Sequence, residues 1–180
     1  MNREEYKKCI EAEILKFSKG SKFPRFLRLI KWICINPSCC ATYYIRKMQY
    51  YAGKTGKINY LLAQRYHIKL TKEFGICVAL HAQIGKGLHI PHPTGIVIGD
   101  HTVIGENCSL YQHSTIGGAH IGDVKKGNMP IIGNNVVIFA GSMVLGSIRV
   151  ADNVILAANS VLLKDALEEG VYVGSPAHRI

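Results

Sequence analysis

Aliphatic residues recur at every sixth position over the second half of the chain, and no other feature restricts its fold so tightly. Ile98, Ile104, Leu110 and Ile116 form one unbroken run, and Ile132, Ile138, Val144, Val150, Leu156 and Leu162 form another. Upstream, Val78, Ile84 and Ile90 keep the spacing. Neither a 3.6-residue helix nor an alternating strand has a period of six. A solenoid with short flat faces does: one aliphatic per face points to the axis, a smaller residue fits beside it, and Gly, Asn or Asp turns each corner. Four places after these aliphatics stand Ala82, Thr102, Cys108, Ser114, Ser142 and Ser160, with the branched Leu88, Val136, Ile148 and Val154; His120 breaks the pattern.

The first part of the chain reads differently. Residues 1–73 hold 16 Lys+Arg and 5 Asp+Glu, a net +11, whereas residues 74–180 carry a net −1. Tyr6, Cys9, Ile10, Ile14, Leu15 and Phe17 recur at helical steps, with Glu4 and Glu5 at the start and Lys16 and Lys19 near the end, so a helix is expected that stops at Gly20. Pro24 opens a second, with Phe26, Leu27, Leu29, Ile30 and Ile33 on its apolar side and Arg25, Arg28 and Lys31 on the other, ending at Asn36-Pro37. Two more are expected over 39–52 and 58–70. The turn between them, Gly53 to Lys57, lacks the first glycine of a phosphate loop, since position 48 is Met48. At 48% hydrophobic residues the chain is no disordered polycation. Its longest apolar stretch here, Phe26 to Ile35, is cut by Arg28 and Lys31 and is too short to span a bilayer. No secretory signal is read at the N-terminus, so a cytoplasmic address is expected and the six cysteines are read as thiols.

The six-residue period resembles that of the hexapeptide-repeat acyltransferases. The resemblance implies a left-handed parallel β-helix of about five coils, assembled as a trimer or a multiple of three. The expected organisation is a basic α-helical region over 1–73, the β-helix over 74–165 with a loop at 117–131, and a C-terminal tail at 166–180. The period breaks twice, between Ile90 and Ile98 and between Ile116 and Ile132. The words His92-Pro93-Thr94-Gly95-Ile96-Val97-Ile98-Gly99 and Ser114-Thr115-Ile116-Gly117-Gly118 are similar to the serine acetyltransferase branch, and Gly174-Ser175-Pro176-Ala177-His178-Arg179 to the ending found across these transferases. In that branch the matching histidine is the catalytic base, here His92. An imidazole near its natural pKa suits proton removal from an attacking hydroxyl.

Other positions depart from the branch. Where serine acetyltransferases carry two aspartates, this chain has Pro91 and Cys77, and where they carry Arg-His it has Asn128-Met129. The groups that pair with the charges of an amino acid are thus missing, and the expected acceptor is a hydroxyl of a sugar or surface polysaccharide precursor, with serine as the alternative. His113 and Asn128 are expected to bind the acceptor, and a backbone carbonyl, Asp100 or Glu106 to orient His92. Acetyl-CoA is implied as co-substrate, held by Gly118, Ala140, Ala158, Lys164 and Arg179. The eight histidines raise the zinc site of γ-class carbonic anhydrases, but no H-x4-H pair exists and no metal is expected. A non-catalytic trimeric scaffold would leave His92 unexplained. For the basic helices, contact with the inner face of a membrane fits better than nucleic acid, because the cations alternate with apolar and aromatic residues.

Overall fold

The computed structural model describes residues 1–18 and 20–180, which leaves Lys19 outside the described residues. Helix α1 (Arg3–Glu13) starts on a capping box: the Asn2 side chain accepts from the amides of Glu4 and Glu5 while the Glu5 carboxylate accepts from the Asn2 amide. It ends at Glu13, well before Gly20, and a 3-10 turn over Leu15–Ser18 follows. Ile14 and Leu15 are adjacent and both fully buried, which a continuing helix with a single inward stripe would not achieve. Phe17, expected in the same core, is about half exposed.

Helix α2 (Arg25–Ile35) follows Pro24 and buries no residue fully. Its Phe26, Leu27 and Ile30 face solvent, while Leu29 and Trp32 rest on Ile10, Ile14, Leu15 and Cys39. Two of its three expected surface cations make internal contacts: Arg25 approaches Glu11 at 3.4 Å, and Arg28 donates to the Ser18 carbonyl at 3.2 Å. Asn36 both ends α2 and caps α3 (Pro37–Ala52), accepting the Cys39 amide at 3.1 Å with Pro37 in the first turn. Helix α4 (Lys57–Phe74) runs longer than the sequence pattern and stops at Gly75 in the left-handed region.

From Cys77 onward the chain winds as a three-faced prism of parallel strands. Face one stacks Cys77–Val78, Val97–Ile98, Thr115–Gly117, Met143–Leu145 and Val161–Leu162; face two stacks Gln83–Ile84, Val103–Ile104, Ile131–Ile132 and Arg149–Val150. Face three stacks Ser109–Leu110, Val137–Ile138, Val154–Leu156 and Gly170–Gly174, and Ala177–Arg179 closes it antiparallel. Every aliphatic of the six-residue runs is buried, and so are the smaller residues four places on, except the exposed His120. At roughly 1.5–3 kcal/mol for each large aliphatic removed from water, this column is the main favourable contribution to the prism.

The helices cap the prism's first coil. Ala41, Tyr44, Ile45 and Met48 of α3 join Val78, Ala82, Ile84 and Leu88 in one core. Under them Arg46, wholly buried, donates to both carboxylate oxygens of buried Glu13, from Nε at 2.9 Å and from a terminal nitrogen at 2.5 Å, and to the carbonyls of Ile84 and Gly85. Glu13 in turn accepts the amides of Gly87 at 2.8 Å and Leu88 at 3.1 Å. Polar backbone at the first corner, which a solenoid end would leave unpaired, is thereby satisfied by one ion pair.

Candidate active site

Strand register locates the two departures from the period. Cys77 pairs Val97, 20 residues on, Val97 pairs Thr115 at 18, Thr115 pairs Met143 at 28, and Met143 pairs Val161 at 18. The ladders continue unbroken, so the two extra residues of the first coil and the ten of the third are pushed out at corners.

The first excess lies where face three turns into face one and carries His92. The ring is exposed, between half-buried Pro91 and Pro93, whose fixed φ limits the ways this overhang can turn. The segment is tied on both sides: the Thr94 carbonyl accepts the His113 amide at 3.1 Å, and the Ile90 carbonyl accepts the Ser38 hydroxyl from the start of α3 at 2.6 Å. His92 faces Tyr111 at 6.3 Å between ring centres, and Tyr111 stacks on Phe139 at 4.8 Å. Asn36, Pro37, Ser38 and His89 complete the wall of a cavity of about 540 Å³ beside His92. Gly95 has φ +65°, and a Cβ there would stand 2.3 Å from the His113 ring, so only glycine lets His113 lie at this corner. The structure thus brings His92 and His113 to one corner on successive coils.

Neither expected carboxylate orients His92. Asp100 sits at the corner between faces one and two, bonded to His81, and Glu106 at the corner between faces two and three, paired with Lys86 at 3.0 Å. Each corner of the prism recurs only once per coil, so residues 8 and 14 places after His92 necessarily fall on other edges. His92 is held instead by its flanking prolines, the two anchoring hydrogen bonds and Tyr111.

The second excess, residues 118–130, contains a single helical turn at Asp123–Lys126. The buried Asp123 carboxylate organises it, accepting the amides of Ala119 at 2.9 Å and His120 at 2.7 Å and the Asn128 side chain at 3.3 Å. The His120 amide bond, helped by Asn128 and opposed by burial, holds this carboxyl below its usual range. Asn128, expected on the acceptor, spends its amide on Asp123 while lining a cavity of about 560 Å³ with Leu145, Ser147 and Leu163. A Cβ on Gly118 would lie 2.8 Å from the Asp123 Cβ, so the loop itself requires that glycine.

The five expected cofactor positions spread over the prism. Ala140 and Ala158 stack at the His92 corner, where the Asn159 amide donates to the Ala140 carbonyl at 2.9 Å. Gly118 and Lys164 lie at the next corner, and Arg179 is engaged by Glu168 at 2.9 Å and by the Glu169 carbonyl. The arrangement offers an exposed imidazole in an aromatic niche, small residues on the coils above it, and a carboxylate-pinned loop on a neighbouring edge. Tyr111, Phe139, Ser38 and Asp123 were not singled out by the sequence; Phe139 and Tyr111 sit where the period places corner residues, which was the available signal.

A family model described as "Bacterial transferase hexapeptide (six repeats)" matches residues 129–164. The serine acetyltransferase of Staphylococcus epidermidis is 41% identical over 128 residues, covering 71% of this chain and 59% of that protein. The serine acetyltransferase of Staphylococcus aureus is 36% identical, covering 71% of this chain and 65% of its own length. The chain thus spans about three fifths of the curated relatives it matches. Among solved structures, soybean serine acetyltransferase complexed with serine superposes with a TM-score of 0.79 at 26% identity, over 98% of this chain and 70% of that one. These relatives overturn the expectation of a sugar or polysaccharide acceptor: they are serine acetyltransferases, in spite of the differences at Pro91, Cys77 and Asn128-Met129. The inference failed because it tested fixed positions, whereas charges on a small acceptor can be met by groups arriving from other corners or other chains.

Proposed function

We propose that the chain is a hexapeptide-repeat acyltransferase of the serine acetyltransferase type and that it transfers the acetyl group of acetyl-CoA to the hydroxyl of serine. His92 is the general base. Its neutral imidazole takes the hydroxyl proton as that oxygen attacks the thioester carbonyl; the tetrahedral intermediate collapses, the C–S bond breaks, and the imidazolium returns the proton to the departing thiolate of CoA. The observation that carries this reading is the placement of His92 on a two-residue overhang beside a cavity, within a stretch shared with the serine acetyltransferases: any 128 consecutive residues of this chain include it. Serine-dependent release of free CoA thiol, with O-acetylserine detected by mass spectrometry, tests the reading. Thiol release that does not respond to serine would end it.

Ala140 and Ala158 suit the pantetheine arm, since small side chains leave the corner's backbone amides and carbonyls reachable. Gly118, Lys164 and Asp123 lie one edge away, so a cofactor groove that uses both edges is completed by a second chain. Light scattering is accordingly expected to give a multiple of three 19.9 kDa chains. A monomer that still turns over would remove the shared groove.

The exposed side of α2 and the segment before it, with Phe23 and Phe26 each 69% exposed and Lys22 and Lys31 also exposed, support peripheral contact with an anionic bilayer. No helix among the described residues is long and apolar enough to cross a membrane. Cosedimentation with phosphatidylserine vesicles at low salt, lost as salt rises through about 0.5 M, is the expected behaviour. Phe26→Ser with Leu27→Ser should abolish it; equal binding by that variant would assign the attraction to charge alone.

A further inference from the structure

The first coil takes 20 residues where an ordinary one takes 18, so side chains that stand above one another on the first two coils lie 20 apart in the chain. Gln83 pairs Val103, so His81 lies directly alongside His101 on the next coil, at the corner between faces one and two. Their rings are stacked, 5.4 Å between centres and 9° from parallel. Asp100 sits between their nitrogens: its carboxylate is 3.0 Å from His81 Nδ1 and 3.8 Å from His101 Nε2, and the His81 amide donates to it at 3.0 Å. All three ligand atoms fall within 4.8 Å of one another.

We propose that His81, Asp100 and His101 form a binding site for one divalent transition-metal ion of the zinc, cobalt or nickel type. Bonds of ~2.0–2.2 Å to nitrogen and oxygen set ligand atoms ~3.4 Å apart around a tetrahedral ion. The observed 3.0 and 3.8 Å from the carboxylate bracket that edge, and the two ring nitrogens lie within 4.8 Å of each other, so occupation requires the parallel rings to tilt towards one ion. Two imidazoles and one carboxylate favour these ions over magnesium or calcium, which take oxygen. On binding, His81 Nδ1 exchanges its contact with Asp100 for the metal. The remaining coordination positions open to water, because both rings are exposed. An H-x19-H spacing follows from this chain's lengthened coil and corresponds to no short motif.

The site is measured without acetyl-CoA. Tag-free full-length protein, stripped with a chelator, is titrated calorimetrically with zinc chloride, and with cobalt chloride followed by visible absorption. One ion per chain is expected, together with a rise in the thermal unfolding midpoint as zinc is added. His81→Ala and His101→Asn should each lower the affinity at least as much as the ~10–100-fold that loss of an outer-sphere partner costs. Asn tolerates the left-handed backbone of position 101 (φ 59°), so the second variant removes the imidazole while keeping the corner. His178→Ala, far along the chain on the closing hairpin, should bind like the parent. No uptake at micromolar zinc overturns the proposal, as does equal uptake by both ligand variants or a comparable loss in His178→Ala.

Discussion

Replacing His92 with alanine is expected to lower turnover by about two to four orders of magnitude while the protein stays folded and binds acetyl-CoA as before. A general base acts on the proton only as the transition state is approached, so its loss falls on kcat and on kcat/KM together and leaves the KM for acetyl-CoA nearly unchanged. The side chain is exposed and makes no hydrogen bond among the described residues, so its truncation leaves no cavity and no orphaned partner. His113→Ala supplies the contrast. That ring packs on Gly95, while the backbone amide that holds the Thr94 carbonyl survives the substitution, so removing the ring loosens the overhang only through lost packing and costs less. If His92→Ala retains full turnover while His113→Ala loses it, the base is His113.

The largest effect on stability is expected at Arg46→Met. Removing one member of a buried ion pair strands the other, and losses of about 3–5 kcal/mol are typical. Here the Glu13 carboxylate would be left buried with only the Gly87 and Leu88 amides, and the carbonyls of Ile84 and Gly85 would lose their donor. Methionine fills much of the arginine's volume, so the effect measured is the missing charge and hydrogen bonds and not an empty space. Urea denaturation followed by circular dichroism should show the midpoint fall sharply. A midpoint within error of the parent would mean that the helices are held to the prism by apolar packing alone.

The prism was readable because its core residues are fixed by a single short period: Ile98, Ile104 and Leu110 each occupy the same place in a repeating unit, and burial of that place is all the fold requires. The corner that carries His92 was readable for the same reason, as a place where the count fails. The Glu13–Arg46 pair was not, since two charged residues 33 apart on amphipathic helices look like any solvated face until tertiary packing brings them together. Asp123 was passed over because the excursion has no period, and its role comes from amides only three to four residues away in a turn that no spacing rule announces. Helix α1 was read too long because Ile14 and Leu15 continue the helical spacing, yet both are needed inside the core. The acceptor was misjudged because absent charges at four positions say nothing about charges supplied from elsewhere.

The strands pair identically whether a coil holds 18, 20 or 28 residues. The ladders are therefore blind to what hangs from the edges, much as a screw thread is indifferent to the fittings along its rod. Deleting two residues from 91–95 and ten from 118–130 would return every coil to one length and preserve each pairing, yet it would erase the His92 overhang and the Asp123 loop. Reactivity in this molecule is carried as removable excess, and a lineage built on such a rod is free to acquire, relocate or discard a chemistry without renegotiating its core.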